Sequence, residues 1–324
     1  MKTTKHLNRK VVVLTGASSG IGRATALEFA RGGATLVLAA RRDDALAEVV
    51  TECEALGAKA VFVKTDVTDS NAVQHLAQAA HELAGRIDVW INNAGIGAVG
   101  EFTQTPMEAH EQVIKTNLLG HMHGAYAVLP YFKEQGYGIL INTISVGAWV
   151  PQPYTVAYAA SKFGLRGFSG ALRGELLKWP DIHICDVFPA FIDTPGFQHG
   201  GNYIGLKIKP IPPVYDPQRV AEAMVALATY PKEAVTVGGS ANFLRFSYEL
   251  LPGLTRRLMA GIMENYFHRA KTAPVSDNSL FEPSGSETGI EGGWRSPGEQ
   301  RRVALTSAAI IAGLGAGIYF FNRK

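Results

Sequence analysis

Cysteine is scarce: 324 residues carry only Cys53 and Cys185, far apart and without the spacing of metal ligands. Such a pair argues against a disulfide framework or a metal site, and reads as two reduced thiols packed as small hydrophobes in a cytosolic protein. Charge of one sign is also in short supply, with a formal excess of only +3 spread evenly along the chain. Nucleic acid is therefore not an expected partner. An export signal is lacking too. Lys2, Lys5, Arg9 and Lys10 precede an apolar run of only four residues, 11–14, which leads straight into a glycine motif. A signal peptide needs a longer apolar stretch and a small-residue cleavage site, so the folded part is expected to stay in the cytoplasm.

Apolar residues, by contrast, reach 47% against 18% charged, enough for a substantial core. Short β-branched runs at 11–15, 35–39, 60–64, 89–91, 139–142 and 182–188 alternate with amphipathic stretches such as 21–31, 45–56 and 72–83. A last strand candidate at 234–237 follows a helical pattern at 217–230. This alternation predicts an α/β fold, a doubly wound and mostly parallel sheet with helices on both faces.

Between the first strand and the first helix stands Thr15-Gly16-Ala17-Ser18-Ser19-Gly20-Ile21-Gly22. Glycines at such a junction let the backbone turn sharply and approach a pyrophosphate, whose charge the helix N-terminus stabilises. Asn92-Asn93-Ala94-Gly95 follows the fourth strand, and Ser145 precedes Tyr158-Ala159-Ala160-Ser161-Lys162. The glycine spacing and the order of these motifs resemble the short-chain dehydrogenase/reductase family over about residues 8–240. The resemblance implies a Rossmann fold and an NAD(P)(H)-dependent oxidoreductase acting on CH–OH or C=O groups. It also implies cofactor contacts from Thr15, Gly16, Ser18, Ser19, Gly20, Ile21, Gly22, Asn93, Ala94 and Gly95. Asp66-Val67 resembles the family's adenine-contacting pair, and Ile192 and Thr194 fall where the family holds the nicotinamide amide. The family's frequent Pro-Gly before them is Pro189-Ala190 here, which leaves the geometry of that loop open.

Cofactor choice is read at the end of the second strand, where an NAD site usually carries an acid for the ribose 2′-hydroxyl. This chain has Ala40 there, followed by Arg41 and Arg42. A guanidinium pairs bidentately with phosphate, so NADP(H) is expected over NAD(H). The plainer alternative is that the two arginines solvate a helix start.

Tyr158 and Lys162 are four apart on a predicted helix and share a face. A nearby ammonium would bring the phenol, ordinarily near pKa ~10, towards the working range. The resemblance implies that Tyr158 exchanges a proton with the substrate oxygen, and that Lys162 also holds the nicotinamide ribose. It further implies that Ser145 bonds the same substrate oxygen, and that Asn117 positions a water linked to Lys162. A non-catalytic NADP(H) sensor or a membrane-bound scaffold are the other readings, and the intact tetrad argues against both.

The stretch 195–213, with Phe197, Tyr203, Ile204, Leu206, Ile208 and Ile211, lies where the family places a substrate-covering lid. With Trp149 and Tyr154 it predicts an apolar, lipid-like ketone or alcohol as substrate. The domain is expected over 1–268, with an apolar extension at 240–268 and a flexible linker at 269–300 rich in Ser, Gly, Pro and Glu. Residues 303–321 are nineteen without a charge, between Arg301-Arg302 and Arg323-Lys324. As a helix they would reach roughly 28 Å, about a bilayer's hydrocarbon thickness, which predicts a transmembrane anchor at 301–324. Gly313 and Gly317 would let two such helices approach, one route to a homodimer.

Overall fold

The computed structural model describes residues 7–8, 10–283 and 288–295. In chain order the elements are β1 (Val11–Thr15), α1 (Gly20–Arg31), β2 (Thr35–Ala40), α2 (Asp43–Ala55), β3 (Lys59–Lys64), α3 (Ser70–Ala84) and β4 (Val89–Asn92). There follow β5 (Ala98–Val99), α4 (Met107–Ile114), α5 (Gly120–Gln135), β6 (Gly138–Thr143), α6 (Val156–Glu175), β7 (Ile182–Pro189), α7 (Gly196–His199) and β8 (Gly201–Asn202). Last come α8 (Pro217–Thr229), β9 (Ala234–Val237), α9 (Gly239–Leu250) and α10 (Pro252–Arg269).

Seven strands form one parallel sheet in the order β3-β2-β1-β4-β6-β7-β9, the Rossmann-like arrangement that the strand–helix alternation predicts. Central strands are covered on both faces, so β1 and β6 are buried along their whole length, whereas edge strand β3 alternates. One face packs on α1, α2 and α8 through Phe29, Leu46 and Met224. The other packs on α3, α5 and α6 through Leu76, Phe132 and Leu172. Local chemistry sets the helix limits. Asp69 and Asp216 accept from the second backbone N–H beyond them at 2.8 Å, opening α3 and α8, and left-handed Gly85 and Gly136 close α3 and α5.

The strand order reverses between β1 and β4, which opens a crevice at the C-terminal ends of the strands. Both cysteines are buried, and burial pushes the Cys53 thiol up to about 12 and Cys185 to about 11. Among the described residues no helix is long and apolar enough to cross a membrane. The anchor expected at 301–324 lies outside the described residues.

The flexible linker expected after residue 268 needs correction. Helix α10 runs to Arg269, and residues 271–283 and 288–295 then fold back onto the domain. Leu280 is fully buried, Trp294 donates its ring N–H to Thr194, and Asp193 accepts from three backbone N–H groups of the returning chain. A polar composition lacks a core of its own, but two or three apolar side chains suffice to seat a segment on an existing one.

Candidate active site

The turn from β1 into α1 needs its glycines. Gly16 and Gly20 adopt φ of +66° and +53°, where side chains with a Cβ are strained. A Cβ on Gly16 would lie 2.8 Å from the Ala94 Cα, and one on Gly22 would overlap the Gly16 carbonyl. The crowding comes from the segment after β4. The Asn93 amide N–H donates to Thr15 Oγ1 at 3.0 Å, and Asn93 Nδ2 donates to the carbonyls of Thr15 and Gly16, each at 3.2 Å. Strand ends 78 residues apart are thereby fixed against each other.

Across the crevice, Ser145 opens a single helical turn after β6, its hydroxyl accepting from the Gly147 N–H at 3.0 Å. Helix α6 carries Tyr158 and Lys162. Lys162 donates to the Thr143 carbonyl at 2.9 Å, and its Nζ lies 5.7 Å from the centre of the Tyr158 ring. Asn117 sits in a one-turn π-helix, Lys115–Leu119, between α4 and α5. Its amide donates to the Ile96 carbonyl at 2.8 Å and Ser161 Oγ at 3.1 Å, while Oδ1 accepts from the Ile96 N–H at 2.8 Å. Ser161 in turn donates to the Tyr158 carbonyl at 2.7 Å. A Cβ on Gly95 would come within 3.4 Å of Asn117 Oδ1 and 3.8 Å of Lys162 Nζ, so these groups converge on one point. The π-turn and His121 escaped the sequence reading. His121 is buried, with Nδ1 2.7 Å from the Asn117 carbonyl and Nε2 3.0 Å from that of Asn92. Burial first, and the Lys162 charge second, lower its pKa to about 3.

Burial also decides the titration of the central pair. It raises the Tyr158 phenol, against a smaller opposite pull from Ser145, and lowers Lys162 to about 7. The expectation that the ammonium lowers the phenol is therefore overridden in the folded chain, because desolvation disfavours both charges.

At the other end of the crevice Arg41 points inward, its two terminal nitrogens donating to the carbonyls of Ser279 at 2.6 Å and Phe281 at 2.7 Å. Arg42 pairs with Asp44 at 2.6 Å at the start of α2 and also lines the crevice. Asp66 accepts from the N–H and hydroxyl of Thr68 at 2.9 and 2.8 Å, a closed turn after β3. One cavity of about 410 Å³ connects all of these. Every catalytic and cofactor residue expected at the site lines it except Thr15 and Asn117, which brace it from behind. Pro189, Ile192 and Thr194 line it from the end of β7, where the Ala190 N–H continues the ladder to Val237 at 2.9 Å.

Of the large apolar side chains of the expected lid only Phe197 and Ile208 line the cavity, and the expected wall residues Trp149 and Tyr154 are elsewhere. Trp149 lies between the guanidinium groups of Arg166 and Arg245, and Tyr154 packs edge-on against Phe267. Gln152 and Thr155 line the cavity in their place, and Ser279, Leu280, Pro283 and Thr288 add a wall that sequence reasoning missed. The signal was Leu280, Phe281 and Trp294, large apolar residues in an otherwise polar stretch.

Residues 10–201 match the sequence model of the short chain dehydrogenase family. The chain belongs to that family. The uncharacterized oxidoreductase YxnA of Bacillus subtilis is 34% identical over 96% of this chain and 90% of its own length. A 1-deoxy-11-beta-hydroxypentalenate dehydrogenase of Streptomyces exfoliatus is 38% identical, over 60% of this chain and 71% of its own. An alcohol dehydrogenase of the archaeon Thermococcus sibiricus, solved with 5-hydroxy-NADP, is 29% identical with a TM-score of 0.62. It covers 71% of this chain and 96% of its own. This short-chain dehydrogenase is accordingly an NAD(P)-dependent oxidoreductase.

Proposed function

We propose that the protein is an NADP(H)-dependent carbonyl reductase or alcohol dehydrogenase for an apolar, lipid-like ketone or alcohol. The observation that carries this reading is the convergence of Ser145, Tyr158 and Lys162 on one cavity with the glycine loop and Arg41. The residues fit a dinucleotide. The Gly16 and Gly22 cradle has no room for a Cβ, the N-terminus of α1 faces the cavity, and the Arg41 fork suits a 2′-phosphate.

The hydride comes from the bound cofactor. Tyr158 donates a proton to the carbonyl oxygen as it gains negative charge, and the neutral phenol that burial favours is the form able to donate. The Ser145 hydroxyl bonds the same oxygen and stabilises its charge. Lys162 would hold the nicotinamide ribose, and Asn117 keeps α6 and the segment after β4 in register. Ile96, Val99, Val146, Phe191, Phe197 and Ile208 line the same cavity and support an apolar substrate. Each Å² of apolar area removed from water contributes about 25 cal/mol.

A series of ketones of increasing chain length, followed by nicotinamide absorbance, tests both parts. Catalytic efficiency should climb with added hydrocarbon, and Tyr158→Phe should lower it by ~10²–10⁴-fold while leaving cofactor affinity nearly unchanged. A preference for small polar carbonyls sinks the substrate class. Activity above about a tenth of wild type in Tyr158→Phe sinks the proton donor.

A further inference from the structure

Beyond α10 the chain returns over the open edge of the cavity. Its first part joins the 201–207 stretch through antiparallel bridges, Leu206 with Thr272 and Asn202 with Ser276, and Tyr203 donates to Asp277 at 2.6 Å. Its far part is clamped at Asp193, a carboxylate 1% exposed that accepts from the backbone of Gly292, Trp294 and Arg295. Arg295 closes the clamp with ion pairs to Asp193 at 3.1 Å and Asp216 at 2.7 Å. Between these ends Leu280 is buried against Ala98 and Ala157, in the cluster that also holds Ile96, Tyr158 and Tyr203.

The polar contacts of this crossing fall on particular donors. Both arms of the Arg41 fork go to the carbonyls of Ser279 and Phe281, and the Gly20 N–H, first in α1, goes to the carbonyl of Gly289 at 3.0 Å. An N–H aimed at a carbonyl is not aimed at a phosphate oxygen at the same moment. The proposed function assigns Arg41 to the 2′-phosphate and the N-terminus of α1, which Gly20 opens, to the dinucleotide.

We propose that the returning segment, residues 276–283 and 288–295, is an intramolecular competitor of the cofactor, seated on the donors that NADP(H) needs. The idea rests on the dinucleotide reading of those donors. A doubly charged phosphate is a stronger acceptor than a neutral carbonyl, so NADPH displaces the segment and recovers Arg41. NADH displaces it without that recovery, so the segment lowers the apparent affinity of both dinucleotides by the same factor and leaves NADPH its Arg41 advantage. Apparent affinity equals the intrinsic value reduced by the fraction of chains whose segment is released. Variants that unseat the segment therefore bind cofactor more tightly, the reverse of removing a wall from a site.

Hydrogen exchange on the full wild-type chain, with and without saturating NADP⁺ or NAD⁺, tests the competition directly. Amides at 276–282 and 289–295 should exchange faster with dinucleotide bound. Slower or unchanged exchange would mean that the segment folds over the cofactor or ignores it, and overturns the proposal. Two variants check it by different physics. Leu280→Ser removes the buried anchor, and Asn278→Val places a β-branched residue at φ +46°, where it is strained. Each should tighten NADPH binding by about tenfold in equilibrium titration, and weaker or equal binding in both refutes the idea. Arg41→Ala in the Leu280→Ser background separates the underlying reading. Equal loss of NADPH and NADH affinity there overturns the 2′-phosphate assignment, while the exchange result still decides the competition.

Discussion

Lys162 is 4% exposed, and burial lowers its pKa to about 7. An unfolded lysine titrates near ~10.4, so from about 7 to ~10.4 the unfolded chain binds more protons and stability rises with pH. Below about 7 both states are protonated, and the whole cost of burying the ammonium is present. Lys162→Met should therefore raise the melting temperature of the protein without cofactor most at slightly acid pH. The advantage should shrink steadily towards ~10.4. A gain that is level with pH would mean that the ammonium is not the costly group. The pairing of Lys162 with Tyr158 was legible because helical period alone places residues four apart on one face. The bonds of Asn117 to Ile96 and Ser161 were not, since they join positions 21 and 44 residues away that only the fold brings together. The direction of the Tyr158 shift was misjudged for a related reason. Sequence supplies the neighbouring charge, whereas the extent of desolvation depends on packing.

At the scale of elements, the seven strands of the main sheet were legible to within one or two residues because each is a short apolar run bounded by polar or glycine residues, whereas the two-residue β5 and β8 are too short to show a pattern. The Lys115–Leu119 π-turn left no such trace, as the phase shift from one extra residue is confined to a single turn, too short a stretch to read a period from. Glycines show how context divides one residue type. In Gly22→Ala the new methyl would meet the Gly16 carbonyl and come 2.9 Å from Asn93 Nδ2, forcing apart the contact between the β1 and β4 ends. Overpacking of this kind costs about 1–3 kcal/mol, and the displaced loop should weaken cofactor binding as well. Gly261 lies inside α10 with open space around its Cβ position, and Gly261→Ala should stabilise the protein by about 0.5–1 kcal/mol. Denaturant midpoints of the two variants should move in opposite directions. Movement in the same direction would show that the loop accommodates the methyl.

For the whole molecule, the fold class followed from alternation alone, but the return of residues 271–295 did not, because composition reports what a segment lacks and not what surface awaits it. The expectation left to test at this scale is the membrane anchor at 301–324. The uncharged run 303–321, flanked by Arg301, Arg302, Arg323 and Lys324, is the whole basis of that expectation and lies outside the described residues. Within the described residues, α9 and α10 expose Phe246, Leu250, Leu254, Leu258 and Ile262, an apolar surface that would tolerate the vicinity of lipid. Truncation after Gln300 separates the two contributions. It removes the apolar run yet keeps Arg295 and its clamp on Asp193 and Asp216, so the cavity and its returning wall stay intact. The truncated chain should move from the membrane pellet to the supernatant while keeping its turnover on a water-soluble carbonyl. If the full chain already fractionates with soluble protein in the absence of detergent, the anchor is wrong. If the truncated chain still pellets, the exposed α9 and α10 face holds it there, and replacing Leu254 and Leu258 by serine should then release it.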